Sequence, residues 1–118
     1  MPAKLSSHVL DTANGCPAQG MLIELWSLAD KQPKLLKSVR TNADGRTDAP
    51  LLTDGDLQAG RYELVFFVGD YFAQRSSTKS QVPFLDRVPV RFGIADAKSS
   101  YHIPLLVSPW AYSTYRGS

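Results

Sequence analysis

A chain of 118 residues, 43% of them hydrophobic, fits one domain spanning 1–118 with a packed core and is too apolar for a disordered tail. Thirteen basic and eleven acidic residues leave a net charge of +2, with Lys and Arg scattered, so the clustered basic stripe of a nucleic-acid-binding surface is absent. One cysteine excludes an intrachain disulfide, no apolar run nears the ~18 residues of a membrane helix, and no signal-peptide pattern opens the chain; a soluble cytoplasmic protein is the expectation.

Turn signals at Asn14-Gly15, Asp44-Gly45, Asp54-Gly55 and Gly60 separate short segments rich in β-branched and aromatic residues. In chain order the pattern predicts strands over 5–11, 21–28 and 35–41, a very short one near 48–52, then 62–68, 87–94, 101–107 and 110–115. The run Arg61-Tyr62-Glu63-Leu64-Val65-Phe66-Phe67-Val68 is too apolar on both sides for a half-solvated strand and reads as covered on both faces. One short helix is predicted over 71–78, with Asp70 as N-cap and Tyr71 and Phe72 packing inward. Pro83 and Pro89 mark 82–89 as the start of an exposed or edge segment.

Strand parity sorts the side chains by face. Over 101–107, Tyr101, Ile103, Leu105 and Val107 share one face, which reads as core. The other face carries His102, Pro104, Leu106 and Ser108. Over 5–11, Leu5, Ser7 and Val9 oppose Ser6, His8 and Leu10. Both histidines therefore stand among Leu10 and Leu106 on a face poorly suited to open water, which is the composition of a subunit interface or a binding surface.

His8 and His102 are the only two histidines and, Cys16 aside, the only side chains that change charge near neutral pH. Taken singly, each is more simply a surface histidine. A zinc site within one chain lacks its ligand set, so neither metal nor cofactor is expected. Arg46 follows the Asp44-Gly45 turn. Spacing alone favours a solvated arginine, although a planar guanidinium there suits a carbonyl-rich or anionic ligand. Cys16 has no basic neighbour in sequence and reads as structural. The tail Ser113-Thr114-Tyr115-Arg116-Gly117-Ser118, following Trp110 and Tyr112, either frays or is tied down as a final strand.

Taken together, Ser7-His8-Val9-Leu10-Asp11-Thr12, Gly15-Cys16-Pro17-Ala18, Thr41-Asn42-Ala43-Asp44-Gly45-Arg46, Tyr101-His102-Ile103-Pro104-Leu105-Leu106-Val107-Ser108-Pro109 and the closing Tyr115-Arg116-Gly117-Ser118 resemble the 5-hydroxyisourate hydrolase branch of the transthyretin-like family. The resemblance runs from about Leu5 to Ser118, and the closing tetrapeptide is its most specific part. The hormone-carrier branch lacks both histidines and this ending. The resemblance implies an all-β Greek-key sandwich of two four-stranded sheets with one short helix. It also implies a homotetramer with sites at the dimer–dimer interface. His8, Arg46 and His102 are the implied catalytic residues, and His8, Arg46, Tyr115 and Ser118 the implied substrate-binding residues. The implied reaction is cofactor-free hydrolysis of a small molecule, 5-hydroxyisourate, in urate breakdown, with imidazole activating water and Arg46 holding the developing negative charge. The resemblance leaves open which histidine acts as base. Two other readings compete: a transthyretin-like carrier, which calls for an apolar channel, and an immunoglobulin-like interaction module, which leaves the histidines solvated and apart from Arg46.

Overall fold

The computed structural model describes residues 2–75 and 82–117. Eight strands and one helix follow in order: β1 (Leu5–Asp11), β2 (Cys16–Pro17), β3 (Leu22–Ser27), β4 (Lys34–Arg40), β5 (Gly60–Phe66), α1 (Val68–Ala73), β6 (Val88–Ile94), β7 (Tyr101–Val107) and β8 (Tyr112–Thr114). They form two four-stranded sheets, ordered β2-β1-β7-β8 and β4-β3-β5-β6. The alternation read from the sequence holds throughout β1 and holds in β7 except at Pro104, which is buried although it shares the parity of His102. Leu5, Val9, Leu105 and Val107 have no exposed surface, while His8, Leu10, His102 and Leu106 on the opposite face are half-buried.

The core between the sheets is filled by those residues with Ile23, Leu25, Leu64, Phe66 and Val88. In β5 the expectation of cover on both faces holds from Leu64 onward, whereas Arg61 is exposed. Pro89 lies in β6, an outer strand of its sheet, where its missing N–H breaks no ladder in the sheet interior.

Five expectations need correction. The helix begins at Val68, three residues early, and ends at Ala73; positions 76–78 of the expected helix lie outside the described residues. Asp70 is not its cap. It sits in the first turn, the N-cap is Phe67, and no side chain caps the end. The cap is tertiary instead: the Gly69 N–H donates to the Asp86 carbonyl at 2.7 Å, and burial of Val68 and Tyr71 sets the start. This early start also ends β5 at Phe66 rather than at 68. The segment 48–52 supplies only a single bridge, Leu5 to Leu52. The last strand begins at Tyr112, because Trp110 and Ala111 belong to a turn in which both N–H groups donate to the Ser108 hydroxyl. β2 was not anticipated. It is the return arm of the Asn14-Gly15 turn, pairing Leu10 with Pro17 and Asp11 with Cys16, and Cys16 is exposed there.

The helix is tied to β1 through a buried polar contact. The Tyr71 hydroxyl donates to Asp11 Oδ2 at 2.8 Å, and Asn14 donates to the same carboxylate from its backbone N–H and its side-chain amide. Burial alone would raise the Asp11 pKa, but the donors from Asn14 and Tyr71 outweigh it and hold the carboxyl below its ordinary 3.8. Burial, followed by the Asp11 hydrogen bond, pushes the Tyr71 phenol well above its ordinary 10.0. Tyr71→Phe removes a charge-assisted hydrogen bond from a buried carboxylate and is expected to cost about 1.5–3 kcal/mol, read as a lower urea midpoint. Because the folded Asp11 pKa is depressed, its contribution is present above the ordinary carboxylate range and is lost as pH falls through the folded value. The gap between Tyr71→Phe and wild type is therefore expected to narrow in acid.

Candidate active site

The outer face of the β1–β7 sheet gathers three of the candidates. β1 and β7 pair in parallel, with Ser6 opposite His102, His8 opposite Pro104 and Leu10 opposite Leu106. With side chains alternating, this register sets both imidazoles on the face turned away from the core.

Arg46 reaches that face through a folded turn. Asn42 Oδ1 accepts the backbone N–H of Asp44 at 2.9 Å and of Arg46 at 3.2 Å, and the Asn42 N–H donates to the Arg46 carbonyl at 2.7 Å. Gly45 closes the turn at φ 76°. The Val9 N–H donates to the Gly45 carbonyl at 2.8 Å, and Arg46 makes an antiparallel bridge with His8. The turn is thus stitched to β1, so Arg46 is not simply a solvated residue after a tight reversal, although its side chain is exposed.

Each imidazole has a fixed partner. His8 Nε2 lies 2.8 Å from the Asp44 carbonyl oxygen. A carbonyl only accepts, so this nitrogen carries the proton. His102 Nδ1 lies 2.8 Å from the Ser6 hydroxyl. Partial burial, and then the nearby charges of Arg46, His8 and Lys4, hold the His102 pKa below its ordinary 6.5. The neutral ring is therefore the dominant form at neutral pH.

The tail continues the β8 register. Leu106 faces Ser113, Leu105 faces Thr114, and an isolated bridge joins His102 to Gly117, whose N–H donates to the His102 carbonyl at 2.7 Å. The same register sets Tyr115 opposite Pro104, at the edge of the histidine face and 60% exposed. Arg116 turns the other way: its guanidinium lies 4.3 Å above the Tyr101 ring, towards the core side. Ser118 lies outside the described residues. The aromatic pair before the tail is no anchor in this chain, since Trp110 is 72% exposed and Tyr112 45% exposed. Main-chain pairing and the Thr114 hydroxyl, which donates to the Pro104 carbonyl at 2.7 Å, hold the segment instead.

Sequence reasoning passed over Ser6 and Asn42 as parts of this site, and took Gly117 only as one residue of the closing motif, with no role of its own. Ser6 shares the parity of His8 and could have been found from that, but its contact with His102 needs the parallel strand pair. Among the described residues, no three His, Cys, Asp or Glu side chains cluster to hold a metal ion.

The arrangement defines a small all-β protein with two histidines and an arginine at one open sheet face. The chain belongs to the HIUase/Transthyretin family, whose model matches residues 5–117. It is 52% identical over 115 residues to 5-hydroxyisourate hydrolase 2 of Rhizobium meliloti (strain 1021), covering 98% of this chain and 96% of the relative. Among solved structures it resembles Klebsiella pneumoniae 5-hydroxyisourate hydrolase, with a TM-score of 0.81 and 34% identity over 98% of this chain and 99% of that one. It also resembles an (S)-allantoin synthase, with a TM-score of 0.91 and 48% identity; 99% of this chain is covered but only 44% of that longer one.

Gly45 carries the geometry of the turn. A Cβ there would collide with the Val9 carbonyl oxygen and press on Pro17 Cβ at 3.2 Å, on a backbone already at positive φ. Gly45→Ala is expected to cost about 2–4 kcal/mol, from left-handed strain and overpacking combined, and to displace Arg46. Urea unfolding measures the first effect. A Gly45→Ala protein as stable as wild type would contradict this account of the turn.

Proposed function

We propose that this chain hydrolyses 5-hydroxyisourate, opening a ring amide to give 2-oxo-4-hydroxy-4-carboxy-5-ureidoimidazoline in urate catabolism, and that the whole chain serves as one transthyretin-like domain. The observation that carries the reading is the convergence of His8, His102 and Arg46 on one sheet face, in a chain that matches this family along nearly its full length. A polar face of this kind suits a reaction better than the apolar channel of a carrier.

The chemistry follows from the groups present. His102, held neutral, takes a proton from water as the oxygen attacks the ring carbonyl. Arg46 presents a planar fork of donors to the oxygen that becomes negative. The C–N bond then breaks, and the leaving nitrogen takes up a proton from an imidazolium. His8, oriented by the Asp44 carbonyl, aligns the water or the substrate. Tyr115 and Ser118 contribute to substrate binding, as the family resemblance implies. No cofactor takes part. Leu10 and Leu106 beside the histidines are half-buried, and we read this face as covered by another copy in a homotetramer, with sites shared at the dimer–dimer interface. Among the described residues no helix is long and apolar enough to cross a membrane. We place the enzyme in the cytoplasm, with no nucleic-acid or membrane partner.

5-Hydroxyisourate generated from urate by urate oxidase is expected to decay faster, by ultraviolet absorbance, when this protein is added, with the same rate after exhaustive chelation. Decay no faster than the spontaneous reaction would remove the hydrolase reading.

His102→Ala is expected to lower turnover by ~10²–10⁴-fold and Arg46→Ala by about 10²–10³-fold, with thermal midpoints near wild type because neither side chain fills the core. The wild-type rate is expected to fall in acid, as His102 takes up a proton, with a midpoint below 6.5 because its pKa is lowered. Midpoints that collapse while the remaining folded protein turns over normally would make these residues structural.

A further inference from the structure

Resting on the hydrolase reading, we infer that Ser6 and Gly117 are positioning residues that clamp the His102 imidazole from two sides and leave Nε2 as the nitrogen facing the site. Ser6 lies directly opposite His102 in the parallel pair, and its hydroxyl meets Nδ1 at 2.8 Å. Among the described residues Nε2 has no hydrogen-bond partner. In the neutral tautomer that leaves Nε2 able to take a proton, Nδ1 carries the hydrogen and donates it to the Ser6 hydroxyl, which holds the ring.

Gly117 closes the other side. A Cβ built there would lie 2.7 Å from His102 Cδ2 and 3.3 Å from Cγ, with nothing but His102 among its three nearest neighbours. The Gly117 backbone is not at positive φ, so no conformational need explains a glycine here. The need is steric: the tail lies flat against the imidazole edge. The Gly117 N–H bonded to the His102 carbonyl fixes the distance between the two main chains, so an added methyl group has only the ring to push against. Rotation of the ring about χ2 would break the Ser6 contact and drive the ring against the tail. Two weak constraints thus become one defined orientation, which proton transfer from a bound water to the ring requires.

The test uses the full chain with three substitutions. In wild type, a nuclear Overhauser effect between His102 Hδ2 and the Gly117 Hα protons is expected. Ser6→Ala should weaken that signal, move the His102 Nδ1 resonance, and lower kcat about 10-fold with KM nearly unchanged, a fraction of the ~10²–10⁴ that a general base supplies. Ser6→Thr, which keeps the hydroxyl on a strand-compatible side chain, should restore all three. Gly117→Ala should displace the His102 ring signals and lower kcat. A Ser6→Ala protein with wild-type signals and kcat would overturn the clamp, as would Ser6→Thr no better than Ser6→Ala, or Gly117→Ala with unmoved His102 signals. The ring signals are read without substrate. If wild type does not hydrolyse 5-hydroxyisourate, the functional reading falls while the ring signals still decide the clamp.

Discussion

Parallel pairing of β1 with β7, from Leu5 opposite Tyr101 to Asp11 opposite Val107, is the constraint on which the rest of the molecule turns. These strands lie almost a hundred residues apart in the chain. Their register puts Leu5, Val9, Leu105 and Val107 into the core together and both histidines on the outer face. A slip of β1 by one residue would turn His8 into the core and Leu5 and Val9 out of it, and a slip of β7 would do the same to His102, Leu105 and Val107, so core packing enforces the geometry of the candidate site. The hydrophobic effect on one face thereby sets polar positions on the other.

Further elements are added to that pair by backbone contacts. The Asn42–Arg46 turn docks on β1 through the Val9 N–H and the Gly45 carbonyl, and the tail docks on β7 through the Gly117 N–H and the His102 carbonyl. Each contact joins main chain to main chain, so the side chains of Arg46 and Tyr115 stay free to face a ligand. Arg46 is exposed and Tyr115 largely so, which is what open positions at a sheet face call for. Burial of the same face by another copy, as proposed for the tetramer, would take these groups partly out of water and strengthen their electrostatic action.

The lowered His102 pKa has a structural origin of the same kind. Partial burial and the positive charges of Arg46 and Lys4 both favour the neutral ring, and neither depends on a carboxylate next to it. Asp11, which is buried on the core side of β1, is held by Tyr71 and Asn14 instead. Acid and base groups are thus separated by the sheet itself, with the carboxylate serving the fold on one side and the imidazoles standing on the other.

Much of this was legible in the residues. Alternation over 5–11 and 101–107 marked the core face correctly, the turn signals marked the reversals, and the short motifs carried the family. Alternation is a local property of an extended chain, so a single strand reveals its own faces. Tertiary contacts decided the rest. The helix starts at Val68 because the Asp86 carbonyl receives the Gly69 N–H, a partner seventeen residues away that no capping rule at Asp70 could reveal. Arg46 looked like a solvated arginine until its turn met Val9. Ser6 looked like a polar strand residue until β7 arrived beside it, and Arg116 belonged to a site motif until its guanidinium settled over Tyr101 on the far side of the strand. By itself the sequence determined which side chains share a strand face and which family motifs it carries. Only the tertiary structure decided which strands are neighbours and in what register, because those depend on contacts between residues far apart in the chain.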